Sequence, residues 1–188
     1  MNETHLRYLA SPEWGARLEA DLIPWIEGVG TLGDDVLEIG PGPGLTTDIL
    51  RRRVAHVTAV EIDDTLAASL HDRLADTNVT VLHGDAARLD FRDDRFSAVT
   101  CFSVLHHVPS PAEQDVILGE IVRVLRPGGA LVGTDARDLD SIRTGHDGDT
   151  FVPMPLDTFT ERLTALGFAD VELEVADYEI RFAAHKPA

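Results

Sequence analysis

The stretch that decides the fold is Val36-Leu37-Glu38-Ile39-Gly40-Pro41-Gly42-Pro43-Gly44. Its apolar start has the composition of a buried strand, and three glycines at alternate positions follow directly. Glycine lets the backbone turn tightly and approach a ligand where a Cβ atom would collide. The helix that we expect from Leu45 adds backbone N–H groups and a partial positive charge. The sequence therefore predicts a strand, a ligand-binding turn and a helix.

The spacing of these glycines argues against one large class of ligands. The dinucleotide fingerprint has its third glycine three residues after the second. Here Gly44 follows Gly42 by two residues, and Leu45 occupies the fingerprint position. This departure disfavours NAD and FAD, and with them a reductase.

Outward from this turn, short apolar runs alternate with segments of helical period to the end of the chain. Such alternation predicts an α/β fold with a doubly wound, mostly parallel sheet and helices on both faces. The last two runs are too close together for a parallel crossover, which predicts an antiparallel last strand. The seven predicted strands are Val36–Gly40, Val57–Ile62, Val79–His83, Phe96–Phe102, Ala130–Asp135, Ala169–Ala176 and Tyr178–Ala184.

Capping residues mark the helices between these strands. Asp64 is predicted to cap a helix that carries leucines at four-residue spacing. Ser110-Pro111-Ala112-Glu113 has the pattern of a capping box. Before the first strand, Ser11-Pro12 predicts a helix that Pro24 should stop or kink. We expect residues 1–30 to form a helical cap segment, either a lid or a cover for one end of the sheet, and residues 31–188 to form one domain.

Two acidic residues follow the next two strands. Glu61 lies at the end of the second strand, where its carboxylate can accept hydrogen bonds from two adjacent ribose hydroxyls. Asp85 follows the third strand, in a position to accept a hydrogen bond from an adenine amine. Either acid alone is typical of a solvated loop, but three sites in order at successive strand ends indicate one binding site.

The pattern closely resembles the class I S-adenosylmethionine-dependent methyltransferases, in particular the small-molecule group with a Leu-His-His segment after the fourth strand. Matching segments continue at Leu125–Gly129 and Leu166–Phe168. The resemblance implies a seven-stranded sheet with an antiparallel last strand, S-adenosylmethionine as cofactor and S-adenosylhomocysteine as product. It implies that the glycine-rich turn holds the methionine part, that Glu61 holds the ribose and that Asp85 reaches the adenine. The predicted cofactor-binding residues are Glu38, Gly40, Pro41, Gly42, Gly44, Glu61, Ile62, Asp85, Ala86 and Ser103.

His106 and His107 are the predicted catalytic residues, at the end of the fourth strand beside the expected methyl group. An imidazole titrates near neutrality and can act as a general base, which is needed only if the acceptor must lose a proton. The alternative is structural, with one histidine packing the strand end and the other exposed. Cys101 lies on a strand, which favours a buried, inert thiol. We expect no metal site.

Composition narrows the choice of partner. Lys plus Arg number 16 against 33 Asp plus Glu, a formal net charge of −17 that opposes binding to phosphate backbones. We therefore expect a small-molecule acceptor and no nucleic acid. The sequence shows no apolar run long enough to cross a bilayer, no secretory signal and a single cysteine, which together favour the cytoplasm without a membrane partner.

Two other functions remain open. Glu38–Gly44 and Ala59–Asp63 also resemble RNA adenine dimethyltransferases, but Phe102-Ser103-Val104-Leu105-His106 stands where that family has an Asn-(Leu or Ile)-Pro-aromatic motif. A non-catalytic protein that binds the cofactor or its demethylated product would carry the same binding motifs. The identity of the acceptor and the oligomeric state are not readable from the sequence.

Overall fold

The computed structural model describes the backbone of residues 3–188 and the side chains of residues 6–188. Seven strands form one mixed sheet: β1 Asp35–Ile39, β2 His56–Glu61, β3 Val79–His83, β4 Phe96–Phe102, β5 Leu125–Ala136, β6 Ala169–Val175 and β7 Glu179–His185. The helices are α1 Glu3–Leu9, α2 Pro12–Arg17, α3 Ile23–Val29, α4 Leu45–Leu50, α5 Asp64–Leu74, α6 Pro111–Val124, α7 Asp140–Gly145 and α8 Phe159–Ala165.

The sheet has the strand order β3-β2-β1-β4-β5-β7-β6. Strands β1 to β5 pair in parallel, and β7 lies antiparallel between β5 and β6. The predicted doubly wound sheet and its antiparallel last strand are confirmed. The strand order reverses beside β1, and ligands of such sheets bind outside the carboxyl ends of the strands at that point.

Alternate residues of the central strand fill two cores. On β1, Leu37 and Ile39 pack with α6 and α8, whereas Val36 faces α2, α3 and α4. The two-residue period of a strand explains this division, because successive side chains point to opposite faces. Both faces of β1 are thus buried, and its carboxyl end is the part that remains available for a ligand.

The amino-terminal helices begin where the sequence predicts, and of the two alternatives at Pro24, a stop or a kink, they exclude the stop. Ser11 caps α2 as expected, accepting a hydrogen bond from the N–H of Trp14 at 3.1 Å. Pro24 does not stop the helix, since a π-helical turn over Leu18–Leu22 joins α2 to α3. Pro24 is the second residue of α3, which directly follows this π-helical turn.

These helices are fastened to the sheet by ion pairs as well as by apolar packing. Leu18, Leu22 and Ile26 are buried against the sheet. Arg181 of β7 donates to Asp21, and Arg17 donates to Glu179 at 3.0 Å. None of the helices within residues 3–188 is long and apolar enough to cross a bilayer.

The helix caps agree with the sequence in one case and differ in the other. Ser110 caps α6, accepting from the N–H of Glu113 at 3.2 Å and donating to its carboxylate at 2.8 Å. The cap of α5 is Asp63 rather than Asp64, since Asp63 accepts from the N–H groups of Thr65 and Leu66. Two adjacent aspartates satisfy the same sequence rule, and only the backbone geometry distinguishes them.

Candidate functional site

The glycine-rich turn crosses the carboxyl ends of β1 and β2. Gly40, Gly42 and Gly44 have φ angles of 64°, 54° and 85°, in the left-handed region that L side chains rarely adopt. A Cβ atom at Gly40 would lie 2.6 Å from a methyl group of Val104, whereas a Cβ at Gly42 would meet nothing within 4 Å. The turn is therefore packed from below at Gly40 and open at Gly42.

Glu61 ties this turn to the end of β2. Its side chain is buried, with 6% exposed. Oε2 accepts from the N–H of Gly42 at 2.9 Å, and Oε1 accepts from the N–H of Asp63 at 3.0 Å. An ionised carboxylate can accept about four hydrogen bonds, so Glu61 retains the capacity to accept two more from a vicinal diol.

A cavity of about 380 Å³ opens at the end of β2, where its lining includes Val60 and Ile62, the chain neighbours of Glu61, but not Glu61 itself. Gly40 lies at one side, Asp85 and the buried Ala86 at another, and the largely exposed Ile62 at its mouth. Asp85 holds its own turn by accepting from the N–H of Ala87 at 2.8 Å, through Oδ1 alone. The cavity thus brings the residues predicted to contact adenine and the first glycine of the ligand-binding turn to one space, with apolar walls and the carboxylate of Asp85.

Two smaller cavities continue along the strand ends. The second, of about 40 Å³, is lined by Gly40, Pro41, Gly42 and Ser103 together with Trp14 of α2. The third, of about 130 Å³, shares Ser103 and Trp14 with the second. Gly40 belongs to the first and second cavities and Ser103 to the second and third, so the three lie in a row. Ser103 has a left-handed φ of 58° at the junction.

Glu38 and Gly44 support the turn and do not line any of these three cavities in the described part of the chain. Glu38 is buried, and Thr47 of α4 donates to its Oε2 at 2.6 Å. Burial raises the pKa of Glu38 to about 7, and the nearby charge of Glu61 adds to the rise. A Cβ at Gly44 would lie 2.3 Å from Leu70 of α5. Glu38 and Gly44 therefore contact the core side of the turn.

His106 and His107 occupy a 3₁₀ turn, Leu105–His107, after β4. His106 is 1% exposed, with Nδ1 hydrogen-bonded to Asp135 and its backbone N–H 3.3 Å from the same carboxylate. His107 is half-buried and lines the first cavity, with Nδ1 3.3 Å from the carbonyl oxygen of Thr150. The two rings are 4.1 Å apart between centroids. Both predicted residues therefore lie beside the row of cavities.

Two further residues of this cluster were not found from the sequence. Asp135 ends the run of buried positions in β5, and its carboxylate is fully buried against His106. His146 follows α7, with its ring 5.0 Å from that of His106 and 5.3 Å from that of His107. The polar segment 138–150 is typical of a loop at the ligand crevice, and this was the only available signal for His146.

Cys101 is fully buried on β4, as predicted. Burial raises the pKa of its thiol, with the charge of Asp135 acting in the same direction. A neutral, inaccessible thiol is not a nucleophile. Cys101 therefore belongs to the core rather than to the site.

The comparison with known families decides the identity of the fold. The model of the methyltransferase domain matches residues 37–133, just over half of the chain. The chain belongs to the class I S-adenosylmethionine-dependent methyltransferases. The matched segment contains the glycine-rich turn, Glu61, Asp85, Ser103 and both predicted catalytic histidines of this methyltransferase-family chain.

Individual relatives match shorter segments of the methyltransferase domain. The chain is 37% identical to a demethylmenaquinone methyltransferase of Clavibacter sepedonicus over 101 residues, which is 53% of this chain and 40% of the relative. It is 48% identical to a ribosomal RNA small subunit methyltransferase A of Aromatoleum aromaticum over 59 residues, 31% of this chain and 22% of the relative. The chain spans less than half the length of these two relatives.

A solved structure supports the methyltransferase fold. The phosphoethanolamine N-methyltransferase 2 of Haemonchus contortus, in complex with S-adenosyl-L-methionine, superposes with a TM-score of 0.73 at 18% identity. The match covers 88% of this chain and 52% of that chain. At this identity the likeness concerns the fold alone.

Proposed function

We propose that this chain transfers the methyl group of S-adenosylmethionine to a small-molecule acceptor. One observation carries the proposal: the carboxylate of Glu61 accepts a hydrogen bond from the N–H of Gly42 in the glycine turn, and Gly40 of the same turn lines a cavity together with Asp85. On this proposal the glycine turn binds the methionine part, Glu61 the ribose and Asp85 the adenine, which is the order of these parts in the cofactor. Gly42 has open space where a side chain would fill that cradle.

The cofactor site is assigned residue by residue on this basis. Gly40, Pro41 and Gly42 hold the methionine part through backbone groups, with Glu38 and Gly44 supporting the turn. Glu61 accepts hydrogen bonds from the ribose hydroxyls, and Asp85 accepts one from the adenine amine. Apolar contact with the adenine ring comes from Ile62 and Ala86, and Ser103 borders the methyl-bearing end.

Methyl transfer depends mainly on the alignment of the methyl donor with the acceptor. S-adenosylmethionine supplies a methyl group on a positively charged sulfur, and that charge disappears as the methyl group leaves. Holding donor and acceptor in line can contribute roughly 7 to 11 kcal/mol. The cavities are arranged to align donor and acceptor, because Ser103 lines both the second cavity, on the cofactor side, and the third.

The acceptor is proposed to enter the third cavity, which His106 lines, with His107 acting from the first cavity, where its ring is 4.1 Å from that of His106. Tyr8 and Trp14 of the amino-terminal helices border this cavity, which supports residues 1–30 as a cap and residues 31–188 as the methyltransferase domain. The lone pair of an imidazole Nε2 has two uses towards an acceptor. It can take the acceptor's proton, or it can hold a cation that binds the acceptor.

A small acceptor is favoured by charge and by space. The net charge of −17 repels a phosphate backbone, and the third cavity of about 130 Å³ is bordered by side chains of the cap. The Clavibacter relative is a demethylmenaquinone methyltransferase. Quinones and their reduced, hydroxyl-bearing forms are therefore the first acceptors to test.

RNA is the second candidate substrate, because the relative from Aromatoleum is a ribosomal RNA methyltransferase with 48% identity to this chain. That match covers only 59 residues, 31% of the chain. The acidic surface opposes this candidate. Binding of RNA that is tight at low salt and weakens steeply with added salt would favour it.

The test is transfer of label from methyl-labelled S-adenosylmethionine to a panel of aromatic hydroxyl compounds, amines, thiols and ribosomal RNA. We expect label in an extracted small molecule, and a loss of at least about tenfold in Glu61→Gln. Cofactor binding without transfer to any member of the panel would favour the non-catalytic alternative. A wild-type protein that binds no cofactor would refute both.

A further inference from the structure

Three histidines converge beside the candidate acceptor cavity. His106 and His107 come from the turn after β4, and His146 comes from the segment after α7. One ring nitrogen from each lies within 4.8 Å of those of the other two. The rings of His106 and His107 are 4.1 Å apart, and His146 is about equally close to both. Three like groups from two segments thus share one space.

The opposite nitrogen of each ring is held by an oxygen. Nδ1 of His106 is bonded to the carboxylate of Asp135, Nδ1 of His146 lies 2.8 Å from the carbonyl of Ile142, and Nδ1 of His107 lies 3.3 Å from the carbonyl of Thr150. A carbonyl or an ionised carboxylate only accepts hydrogen bonds, so each Nδ1 carries the proton. With the proton on Nδ1, the neutral form of each ring has its lone pair on Nε2.

The Nε2 atoms are buried, so water does not reach them. For His106 the buried Nε2 has no hydrogen-bond partner within residues 3–188. A buried nitrogen without a hydrogen-bond partner destabilises the folded protein. The lone pair on a buried Nε2 needs a hydrogen-bond donor or a cation as its partner. Because all three neighbouring rings hold their proton on Nδ1, a single cation can be shared by the three Nε2 lone pairs.

We propose that His106, His107 and His146 bind one divalent transition-metal ion of the zinc class. Imidazole nitrogens suit Zn²⁺, and three histidines leave the fourth tetrahedral position open. Zinc–nitrogen bonds of about 2.0 to 2.1 Å put the three nitrogens about 3.3 Å apart, within the 4.8 Å that bounds the separation of one ring nitrogen from each histidine. The proposal replaces the expectation that the chain has no metal site.

The surroundings of the cluster have the features of a metal site. Asp135 and His106 form the carboxylate–histidine pair that orients metal ligands and fixes their tautomer. Phe151 packs against His146 at 4.6 Å between ring centroids, which limits the movement of that ring. The net charge of −17 draws cations to the surface. Mg²⁺ and Ca²⁺ prefer oxygen ligands and are disfavoured here.

The open position of the ion deepens the proposed function, on which this step rests. His106 and His146 line the third cavity, and His107 lines the first. An acceptor oxygen or nitrogen in the third cavity can therefore occupy the fourth position. A hydroxyl acceptor bound to the ion loses its proton to water more readily. Its oxygen then attacks the methyl carbon, and the electron pair of the broken carbon–sulfur bond stays on sulfur.

The test is calorimetric titration of Zn²⁺ into chelator-treated protein, without cofactor. The variants are His106→Asn, His107→Asn and His146→Asn, because the asparagine amide keeps a donor near the Nδ1 position and removes Nε2. His71→Asn is the matched control on the exposed side of α5. We expect one ion per chain in the wild type, a Kd raised at least about tenfold in each of the three variants, and no change in the control.

Asp135→Asn separates orientation from ligation. Asp135 accepts from Nδ1 and the N–H of His106 and from the N–H of Ala136 at 2.7 Å. An amide cannot accept from all three, so the tautomer of His106 is no longer fixed. We expect a Kd for Zn²⁺ raised about 10- to 100-fold, with a far-UV circular dichroism spectrum like that of the wild type.

Two results would overturn the proposal. One is a wild-type protein that takes up no Zn²⁺; the other is uptake that is equal in the wild type and in the three histidine variants, which would assign the ions to surface carboxylates. Should His106→Asn fail to fold, His146→Asn decides, since it lies outside the sheet. Binding of S-adenosylhomocysteine by the same samples reports the proposed function separately.

Discussion

The two halves of the candidate site are built in different ways. The cofactor half, formed by Gly40–Gly44, Glu61 and Asp85, uses backbone conformation and carboxylates that accept from backbone N–H groups. The acceptor half, formed by Ser103, His106, His107, Asp135 and His146, uses contacts between side chains from three segments. A special backbone conformation can be predicted from a local pattern such as alternating glycines. Contacts between side chains that are distant in sequence produce no such pattern.

The largest expected effect falls on the cofactor half. In Gly40→Val a branched side chain must adopt a left-handed φ, and its Cβ meets Val104 at 2.6 Å. We expect the affinity for S-adenosylhomocysteine to fall about a thousandfold or more, about 4 kcal/mol, in a calorimetric titration. Gly119→Val is the control, because a Cβ at Gly119 on α6 meets nothing within 4 Å.

Normal cofactor binding by a folded Gly40→Val variant would contradict this contrast between the two halves, because the cofactor half would then not depend on backbone conformation. Gly40→Ala offers a milder version if the valine variant does not fold. The alanine keeps the strained φ and the close approach to Val104.

The second prediction concerns the buried acid beneath the cofactor turn. The folded-state pKa of Glu38, about 7, lies above its ordinary value of 4.5. Between these values the unfolded chain holds fewer protons at this group than the folded protein, so its contribution to stability falls as the pH rises through the window. Relative to Glu38→Gln, we expect the wild type to lose about 3 kcal/mol of unfolding free energy between about pH 4.5 and pH 7.

Urea unfolding of both proteins across this range measures the effect. Glu120→Gln is the matched control, because the hydrogen bond from Arg123 lowers the pKa of Glu120. Its stabilising contribution is present above the unfolded pKa and is lost as the pH falls, which is the opposite sign. Parallel pH curves for wild type and Glu38→Gln would contradict the buried, raised-pKa carboxyl.

The smallest predicted effect compares two helix caps, one near each half. Asp63 caps α5 beside Glu61, and Ser110 caps α6 after the histidine turn. Asp63→Ala and Ser110→Ala should each cost about 1 kcal/mol in thermal or urea unfolding, because each removes one local cap. A much larger loss of unfolding free energy in Asp63→Ala than in Ser110→Ala would show that a side chain, and not only the backbone, stabilises the cofactor half.

The same contrast explains what the sequence predicted. The strands and their topology were predictable because buried strands are short apolar runs between turn residues. The differences were local: Asp63 rather than Asp64 caps α5, and at Pro24, where a stop or a kink was predicted, the stop does not occur and a π-helical turn precedes the proline. Both depend on backbone dihedral angles that composition does not report. The helix Asp140–Gly145 was likewise hidden within a polar loop.

For the site, the sequence predicted residues whose role is tied to a position at a strand end. His106 was among them, but its partner Asp135 and its neighbour His146 were not. Asp135 is one of several acids near strand ends, and its burial becomes visible only in the sheet. His146 lies far along the chain from His106, and no spacing rule joins them.

The most direct test of the account is a single titration series of S-adenosylhomocysteine into wild type, Glu61→Ala and His146→Asn. We predict micromolar binding to the wild type, an affinity at least about tenfold lower in Glu61→Ala, and a value within about threefold of wild type in His146→Asn. That pattern would assign the cofactor to the backbone-built half. Absence of binding by the wild type, or equal binding by Glu61→Ala, would contradict it.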